Sequence, residues 1–142
     1  MRCVPALLCA ALLALPSLGR AACTISTAGL AFGTYDPLST TPRDATGSVS
    51  YNCQNVGWAS AYLSRGSSPT LFNRTMTQGA NALSYNVYLD TGHTQVWGDA
   101  SGSYYVLVPN GKGSIPVYGR IFAQQDVSAG AYSDVLTVTF NF

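Results

Sequence analysis

Glutamate is missing from this 142-residue sequence, lysine occurs once, at Lys112, and histidine occurs once, at His93. Charged residues make up only 9% of the chain. Exposed helix faces are usually built on Glu, Lys and similar residues, so their scarcity argues against a helical protein. One histidine and two distant cysteines do not give the spacing of a zinc site, and a Ser-His-Asp or Cys-His arrangement would depend on His93 alone.

The first 21 residues have the organisation of a secretory signal peptide. Arg2 is followed by an apolar run over 4–15 and then by small residues before Cys23. The run is too short to span a membrane. We predict cleavage after Ala21, with Ala22 as the alternative position, and a single domain over 22–142.

Removal of this segment changes the charge and the cysteine count. Loss of Arg2 and Arg20 leaves five basic residues against six Asp, a net charge of −1. No basic surface for nucleic acid or anionic membranes is then expected. Cys23 and Cys53 remain, and an exported chain favours one disulfide over two buried free thiols. A closed loop of this length contributes roughly 3 to 4 kcal/mol.

The rest of the chain is typical of an all-β protein, with short apolar alternations separated by Gly, Pro, Asn and Ser. Asn110-Gly111 predicts a hairpin turn between two of the strands. Strands at this spacing favour a sandwich or a barrel. The predicted strands lie within 23–35, 47–55, 58–65, 83–90, 104–108, 114–125 and 131–142.

The turn after the strand at 83–90 contains the sequence Asp90-Thr91-Gly92, which resembles the catalytic turn of aspartic proteases. That chemistry needs two carboxylates that share a proton, and therefore a homodimer of this chain. The simpler interpretation is that Asp90 caps its own turn. We predict that the protein is not an enzyme and that it has no cofactor and no metal site.

The last strand alternates up to the final residue, with Leu136, Val138, Phe140 and Phe142 on one face. Outer-membrane β-barrels also end on an alternating strand with a terminal aromatic residue, so a small barrel is one alternative. Several predicted strands are too short for it, and the stretches 44–50 and 65–81 are typical of soluble connections.

Taken together, several stretches in this order resemble the spore coat protein U domain family, which includes the pilins of archaic chaperone–usher pili. The resemblance covers nearly all of 23–142. It implies an incomplete immunoglobulin-like β-sandwich that lacks its final strand, and no catalytic function. The stretches are Phe32-Gly33-Thr34-Tyr35-Asp36-Pro37, Cys53, Arg74 with Met76, "LSYNVYLD", Trp97-Gly98-Asp99, "VYGRI" and "GAYSDVLTVTFNF".

The resemblance also implies the partners. A periplasmic pilus chaperone would supply the missing strand, an outer-membrane usher would export the subunit, and the strand of another pilin-like subunit would later replace that of the chaperone. The main chain of 132–142 would be the edge that receives it. Its side chains are Tyr132, Leu136, Val138, Phe140 and Phe142.

We therefore expect an exported structural or adhesive subunit of a cell-surface assembly, an archaic chaperone–usher pilus. Polymerising pilins carry a donor segment before the first cysteine, whereas at most Ala22 precedes Cys23 in the mature chain. The sequence therefore predicts an end or tip subunit. The alternative is a self-contained secreted coat protein that completes its own fold.

Overall fold

The computed structural model describes residues 19–142, which form six antiparallel strands and contain no helix. The prediction of an all-β chain is confirmed. The predicted signal peptide falls mostly on residues 1–18, outside the described residues, so its bounds and those of the domain stay predictions. The strands are β1 Ala22–Ala28, β2 Arg43–Leu63, β3 Arg74–Gln78, β4 Asn81–Tyr88, β5 Val106–Ile121 and β6 Val138–Asn141.

The long strand β2 organises the sheet. One edge of β2 pairs with β5 along most of its length, and the sheet continues through β4 to β3. The opposite edge is shared by two strands: β1 pairs with 48–54 and β6 pairs with 60–63. In this register Cys23 lies directly opposite Cys53, and the two form the predicted disulfide.

The strands β2 and β5 bend together at one place. Their register shifts between Cys53 and Trp58, where Asn55 has a positive φ of 56°. On β5, the side-chain oxygen of Asn110 accepts a hydrogen bond from Val56 N at 3.4 Å. A bulge of this kind bends the strand and increases its twist.

The predicted hairpin at Asn110-Gly111 is wrong. Both residues lie inside β5, because the chain on each side of them pairs with the same strand, β2. Gly111, with φ 104°, supplies a backbone conformation that the bend requires. The turn-forming residues are used for a bend within a strand instead of for a reversal of the chain.

Two stretches expected to be connections are partly strand. Residues 44–50 lie within β2, where they pair with β5, and 65–81 contain β3. The strands predicted at 47–55 and 58–65 are therefore parts of one element. The small and polar side chains of these stretches do not show the apolar alternation of a strand. Backbone pairing with a neighbouring strand nevertheless stabilises them as strand.

The core has the inward-facing residues that the alternation predicts. Val49 and Cys53, then Ala59, Ala61 and Leu63, are buried along β2. Trp97 is fully buried and its ring N–H donates to the carbonyl oxygen of Ala61 at 3.1 Å. A buried indole is stable in this position because its only polar group is hydrogen-bonded.

Arg74, at the start of β3, is fully buried. Its guanidinium donates to Asn86 Oδ1 at 2.7 Å, to Trp97 O at 2.7 Å and to Ser64 O at 2.8 Å. Within residues 19–142 no carboxylate lies within ion-pair distance of it. Burial lowers the pKa of Arg74, although an arginine stays protonated in proteins. Neutral acceptors from three parts of the chain therefore surround the charge.

A surface ion pair joins β2 to β5 across the sheet. Arg120 Nε and Nη2 each donate to one oxygen of Asp44 at 2.7 Å. This hydrogen bonding lowers the pKa of Asp44 below its ordinary value of 3.8. Because the folded-state pKa lies below the unfolded-state value, the pair stabilises fully above that value and the stabilisation is lost as pH falls through the folded-state pKa.

We expect Asp44→Asn to lower the free energy of unfolding by at most about 1 kcal/mol at neutral pH, because Asp44 is half-exposed and screened by solvent. In strong acid, below both pKa values, the substitution should have no effect. Urea unfolding at the two pH values measures this. An equal loss at both would show that the carboxylate charge is not responsible.

Candidate functional site

An open groove runs along one side of the sheet between two segments that lie mostly outside the strands. One wall is formed by residues 27–37, which continue from β1, and the other by residues 127–138, which lead into β6. The groove consists of two adjoining cavities of about 810 and 400 Å³. Leu30, Phe32, Met76 and Tyr132 border both cavities. We call this feature the acceptor groove.

The floor of the acceptor groove is the hydrophobic core itself. Its side chains come from β2, β3, β4, β5 and the loop at Trp97, and each is buried although it borders the groove. The apolar wall side chains above this floor are only half-buried, which is unfavourable unless something covers them; they include Leu30, Tyr132, Leu136 and Val138. The floor residues are Leu63, Met76, Leu83, Tyr85, Val87, Trp97, Val117 and Ile121.

The first wall has an unpaired backbone. Among the described residues, no backbone–backbone hydrogen bond involves 29–35, and only Phe32 O accepts a side-chain donor, Arg43 Nε, at 2.7 Å. Leu30 and Phe32 turn their side chains toward the core, while Ala31 and Gly33 are exposed. This alternation is that of a strand whose neighbour is missing.

The second wall is also almost unpaired. Ser133 exchanges both backbone hydrogen bonds with Thr77 of β3, at 2.9 and 3.2 Å, and Thr137 O accepts from Ser64 N at 2.9 Å. Between and before these two points, the backbone groups of 127–132 and 134–136 make no backbone–backbone hydrogen bond to the described chain. An extended chain laid in the groove would meet free donors and acceptors on both sides.

A hydrogen bond fixes the second wall to the floor. Tyr85 O–H donates to Asp134 Oδ2 at 2.7 Å. Burial raises the pKa of Tyr85 well above its ordinary value, and the bond to Asp134 adds to the effect, so the phenol stays a neutral donor. Asp134 Oδ1 in turn accepts from Val135 N at 2.9 Å and Ser67 N at 3.4 Å. The wall is therefore held in place even though its backbone is mostly unpaired.

The structure separates the five residues predicted for the strand-addition edge. Tyr132, Leu136 and Val138 border the acceptor groove. Phe140 lies beyond it, with its ring 5.9 Å from that of Tyr51, and Phe142 is 59% exposed. Their role as an edge stays a prediction. Residues 132–137 are extended but belong to no strand, so the predicted terminal strand is reduced to β6.

The first wall was not identified from the sequence. Residues 23–35 were expected to contain one strand, whereas β1 ends at Ala28 and the chain then leaves the sheet. The available signal was the pair Leu30 and Phe32, which keeps the period of two between Gly29 and Gly33. Glycine on each side of an apolar pair indicates a segment that changes its partner.

The residues that resemble the catalytic turn of aspartic proteases, Asp90-Thr91-Gly92, form an ordinary turn. Asp90 Oδ1 accepts from Gln95 N at 2.8 Å and from Thr94 N at 3.0 Å, and these bonds, led by that from Gln95, lower the pKa of Asp90. The interpretation of Asp90 as a turn cap is therefore confirmed by its contacts. In the part of the chain from 19 onward, no three His, Cys, Asp or Glu side chains are grouped so that they could hold a metal. Nor does any helix in that part have the length and apolar character needed to cross a membrane.

The sequence of this chain is similar to a known protein family and to an individual known protein. The family model of the Spore Coat Protein U domain matches residues 10–139. Protein U of Myxococcus xanthus is 34% identical over 127 residues, which cover 80% of this chain and 71% of that protein.

A solved structure has a similar fold. It is the chaperone–tip adhesion subunit pre-assembly complex CsuC–CsuE, from the archaic chaperone–usher Csu pili of Acinetobacter baumannii. One chain of it superposes with a TM-score of 0.64 at 20% identity, over 87% of this chain and 40% of that chain. The present chain thus spans about two fifths of the chain it matches, and the similarity concerns the fold. The predicted incomplete, pilin-like sandwich is confirmed.

Proposed function

This chain belongs to the Spore Coat Protein U domain family, and we propose from that premise that it is an exported structural or adhesive subunit of a cell-surface assembly. In this proposal, a β-strand from another chain completes the fold. The acceptor groove is the observation that supports it, because its apolar floor lies between two walls whose backbone is mostly unpaired.

The mechanism is strand addition. An extended segment in the acceptor groove makes main-chain hydrogen bonds to 29–35 on one side and to 127–136 on the other. Every second side chain of the segment points down to the floor, while the others face solvent. The backbone hydrogen bonds provide affinity for any extended chain, and the shape of the floor selects the register.

The partners follow from this chemistry. During export, a periplasmic pilus chaperone supplies the strand and covers the floor. At the outer membrane, an usher passes the subunit to the cell surface, where the strand of another pilin-like subunit replaces that of the chaperone. The matched complex supports this sequence of partners, because it contains a chaperone with a subunit before assembly.

The groove also limits what the donor strand can be. Each wall is about ten residues long, so a donor of eight to ten residues fills it at about 3.3 Å per residue. The cavity of about 810 Å³, near 127–132, has room for aromatic or large aliphatic side chains. The cavity of about 400 Å³, near 132–138, fits smaller ones. The donor is therefore an alternating apolar strand whose larger residues lie at one end.

The position of this subunit at the end or tip of a fibre stays a prediction of the sequence. It depends on the cleavage site, and so on how many residues precede Cys23 in the secreted protein. Intact-mass measurement of the chain purified from the cell surface tests it. A mature chain with about ten or more residues before Cys23 has room for a donor segment, which would contradict the prediction.

The strand-accepting role is tested with a designed peptide of about ten residues, apolar at alternate positions, and a control peptide of the same composition without the alternation. We expect the first peptide to raise the melting temperature of the mature chain. At a concentration of 100 times its dissociation constant, the stabilisation is about 2.7 kcal/mol. The control peptide, which cannot place its apolar side chains on one face, should have little effect.

A matched pair of variants locates the binding. Leu136 and Val135 both belong to the second wall, but the side chain of Leu136 packs against the core whereas that of Val135 is 82% exposed. We expect Leu136→Asp to abolish the stabilisation by the peptide and Val135→Asp to keep it. Equal binding by the two variants would exclude the groove as the site. A mature chain that melts cooperatively as a monomer and does not respond to either peptide would favour the self-contained coat protein.

A further inference from the structure

A second cleft, of about 710 Å³, lies on the other side of Leu63 from the acceptor groove. Its rim is formed by the loop 64–72 and by the loop that contains Asp99 and Ser101, and β6 contributes Thr139. We call it the outer cleft. Its size lies within the range of small-molecule sites, about 300–1,000 Å³. The proposed strand addition uses none of its rim.

We infer that the outer cleft is a binding site for a neutral glycan, with one hexopyranose ring seated between Tyr62 and Phe72. The inference concerns a different surface from the proposed strand addition and goes beyond it. It is carried by three properties of the cleft: exposed aromatic surface, hydrogen-bonding groups of both kinds without partners, and a balance of opposite charges.

The aromatic surface is held in place without a ligand. The ring of Tyr62 stacks on that of Tyr105 at 5.3 Å between centroids and an angle of 25°. Phe72 is 56% exposed at the rim, although a phenylalanine is normally buried. The face of a sugar ring that carries C–H groups packs well on such rings, because the face of an aromatic ring is electron-rich.

The hydrogen-bonding groups of the cleft are only partly used within the protein. Asp99 Oδ1 accepts from the backbone N–H of Ser101 at 2.9 Å and from its hydroxyl, while Oδ2 accepts from no group of residues 19–142. Arg65 uses Nη1 to donate to Pro69 O at 3.0 Å, and its Nε and Nη2 have no partner in the same part of the chain. The cleft therefore presents a carboxylate acceptor and guanidinium donors, as a polyol requires.

The charges favour a neutral ligand. Asp99 is ionised at neutral pH, because its hydrogen bonds from Ser101 hold its pKa below the ordinary value, and the charge of Arg65 acts in the same direction. One carboxylate and one guanidinium leave the cleft without net charge. A phosphate or a sialic acid would be attracted by Arg65 but repelled by Asp99, so the cleft offers an anion no net electrostatic attraction, and an apolar peptide would leave both charges without a hydrogen-bonding partner.

The loop that positions Asp99 has a constrained backbone. Ala100 has a φ of 70° and Gly102 a φ of 76°. A positive φ is unfavourable at an alanine and persists where the surroundings impose it. In this loop the conformation turns the backbone N–H of Ser101 toward the carboxylate of Asp99 and so fixes the direction of the unused oxygen.

The test uses the mature, disulfide-linked chain and the methyl α-glycosides of glucose, galactose and mannose as probes. Saturation-transfer NMR detects binding, and an array of neutral and sialylated oligosaccharides extends the search. We expect at least one neutral probe to bind. Asp99→Asn, which keeps the turn but replaces Oδ2 with a donor, should weaken it about tenfold or more, as should Phe72→Ala.

Trp58→Ala is the matched control, because Trp58 is a 65% exposed aromatic residue of the same strand as Tyr62 but does not border the cleft. It should leave the affinity unchanged, and the melting temperature of each variant shows whether it is folded. The inference is overturned if no neutral glycan binds. It is also overturned if the folded Asp99→Asn and Phe72→Ala variants bind as well as the native chain, or if Trp58→Ala loses as much affinity as they do. None of these outcomes depends on the acceptor groove.

Discussion

Replacing Arg74 with alanine should lower the free energy of unfolding by about 3–5 kcal/mol, more than any exposed substitution in the chain. The guanidinium is fully buried and hydrogen-bonds β4, the end of β2 and the loop at Trp97. Without it, several acceptors lose a donor in a place that water does not reach, and each acceptor left unpaired costs about 1–3 kcal/mol, although Asn86 Oδ1 keeps the bond from Val87 N. The acceptors are Asn86 Oδ1, Leu63 O, Ser64 O and Trp97 O.

Two further substitutions separate charge from geometry at this site. Arg74→Lys keeps a charge but has only three donors on one atom, so it should recover part of the loss. Arg65→Ala removes an exposed arginine of the neighbouring loop and should change stability by less than about 0.5 kcal/mol. Urea unfolding with the disulfide intact measures the free energy of unfolding of the three variants. A loss below about 1 kcal/mol for Arg74→Ala would mean that water replaces the guanidinium.

Replacing both Cys23 and Cys53 with alanine should lower the free energy of unfolding by about 3–4 kcal/mol. The disulfide closes a loop of 30 positions and ties β1 to the middle of β2. Its effect on β1 should be especially large, because the side chains of that strand are exposed apart from the half-buried Cys23. Backbone hydrogen bonds and the disulfide attach β1 to β2, and burial of side chains adds little to the stability of this pairing.

The same change should loosen the acceptor groove, because the wall 27–37 continues directly from β1. Hydrogen exchange should show faster exchange in 22–28 on reduction, with β4 and β5 little affected. The alternating peptide should also bind more weakly to the reduced chain. The native protein with and without reductant is the matched pair, and the double alanine variant should be insensitive to reductant. Unchanged exchange in β1 would show that its pairing with β2 is sufficient.

The sequence was a reliable guide wherever an alternating run of apolar residues faces a single core. Ala59, Ala61 and Leu63 are an example, since their spacing puts them on one side of β2 and all three are buried. The alternation of Leu136 and Val138 likewise put them on one face, and both border the groove. Both cases depend on local periodicity, which is visible without knowledge of the strand's partners.

Prediction from the sequence failed where the conformation or burial of a residue depends on a contact with a distant part of the chain. Asn110-Gly111 has the composition of a hairpin turn, and only the continuous pairing of β5 with β2 makes it a bend. Arg74 was recognised as part of a family pattern, but nothing local indicates that its charge is buried among carbonyl oxygens. The departure of 29–35 from β1 was missed for a related reason, since nothing local shows that these residues make no backbone pairing with the rest of 19–142.

The central place of β2 has a consequence for how the protein reaches its folded state. The partner β5 comes late in the chain, so that Arg43 must find Ile121 and Ala61 must find Val106 before the sheet exists. Such distant pairings must overcome a large loop-closure entropy and make folding slow, on the scale of milliseconds to seconds. While the chain is being made or translocated from its N-terminus, β2 has only β1 beside it, and its apolar face and free edge stay exposed until β5 emerges. The kinetics of folding, as much as the open groove of the finished subunit, would make the chain vulnerable to aggregation and proteolysis during export.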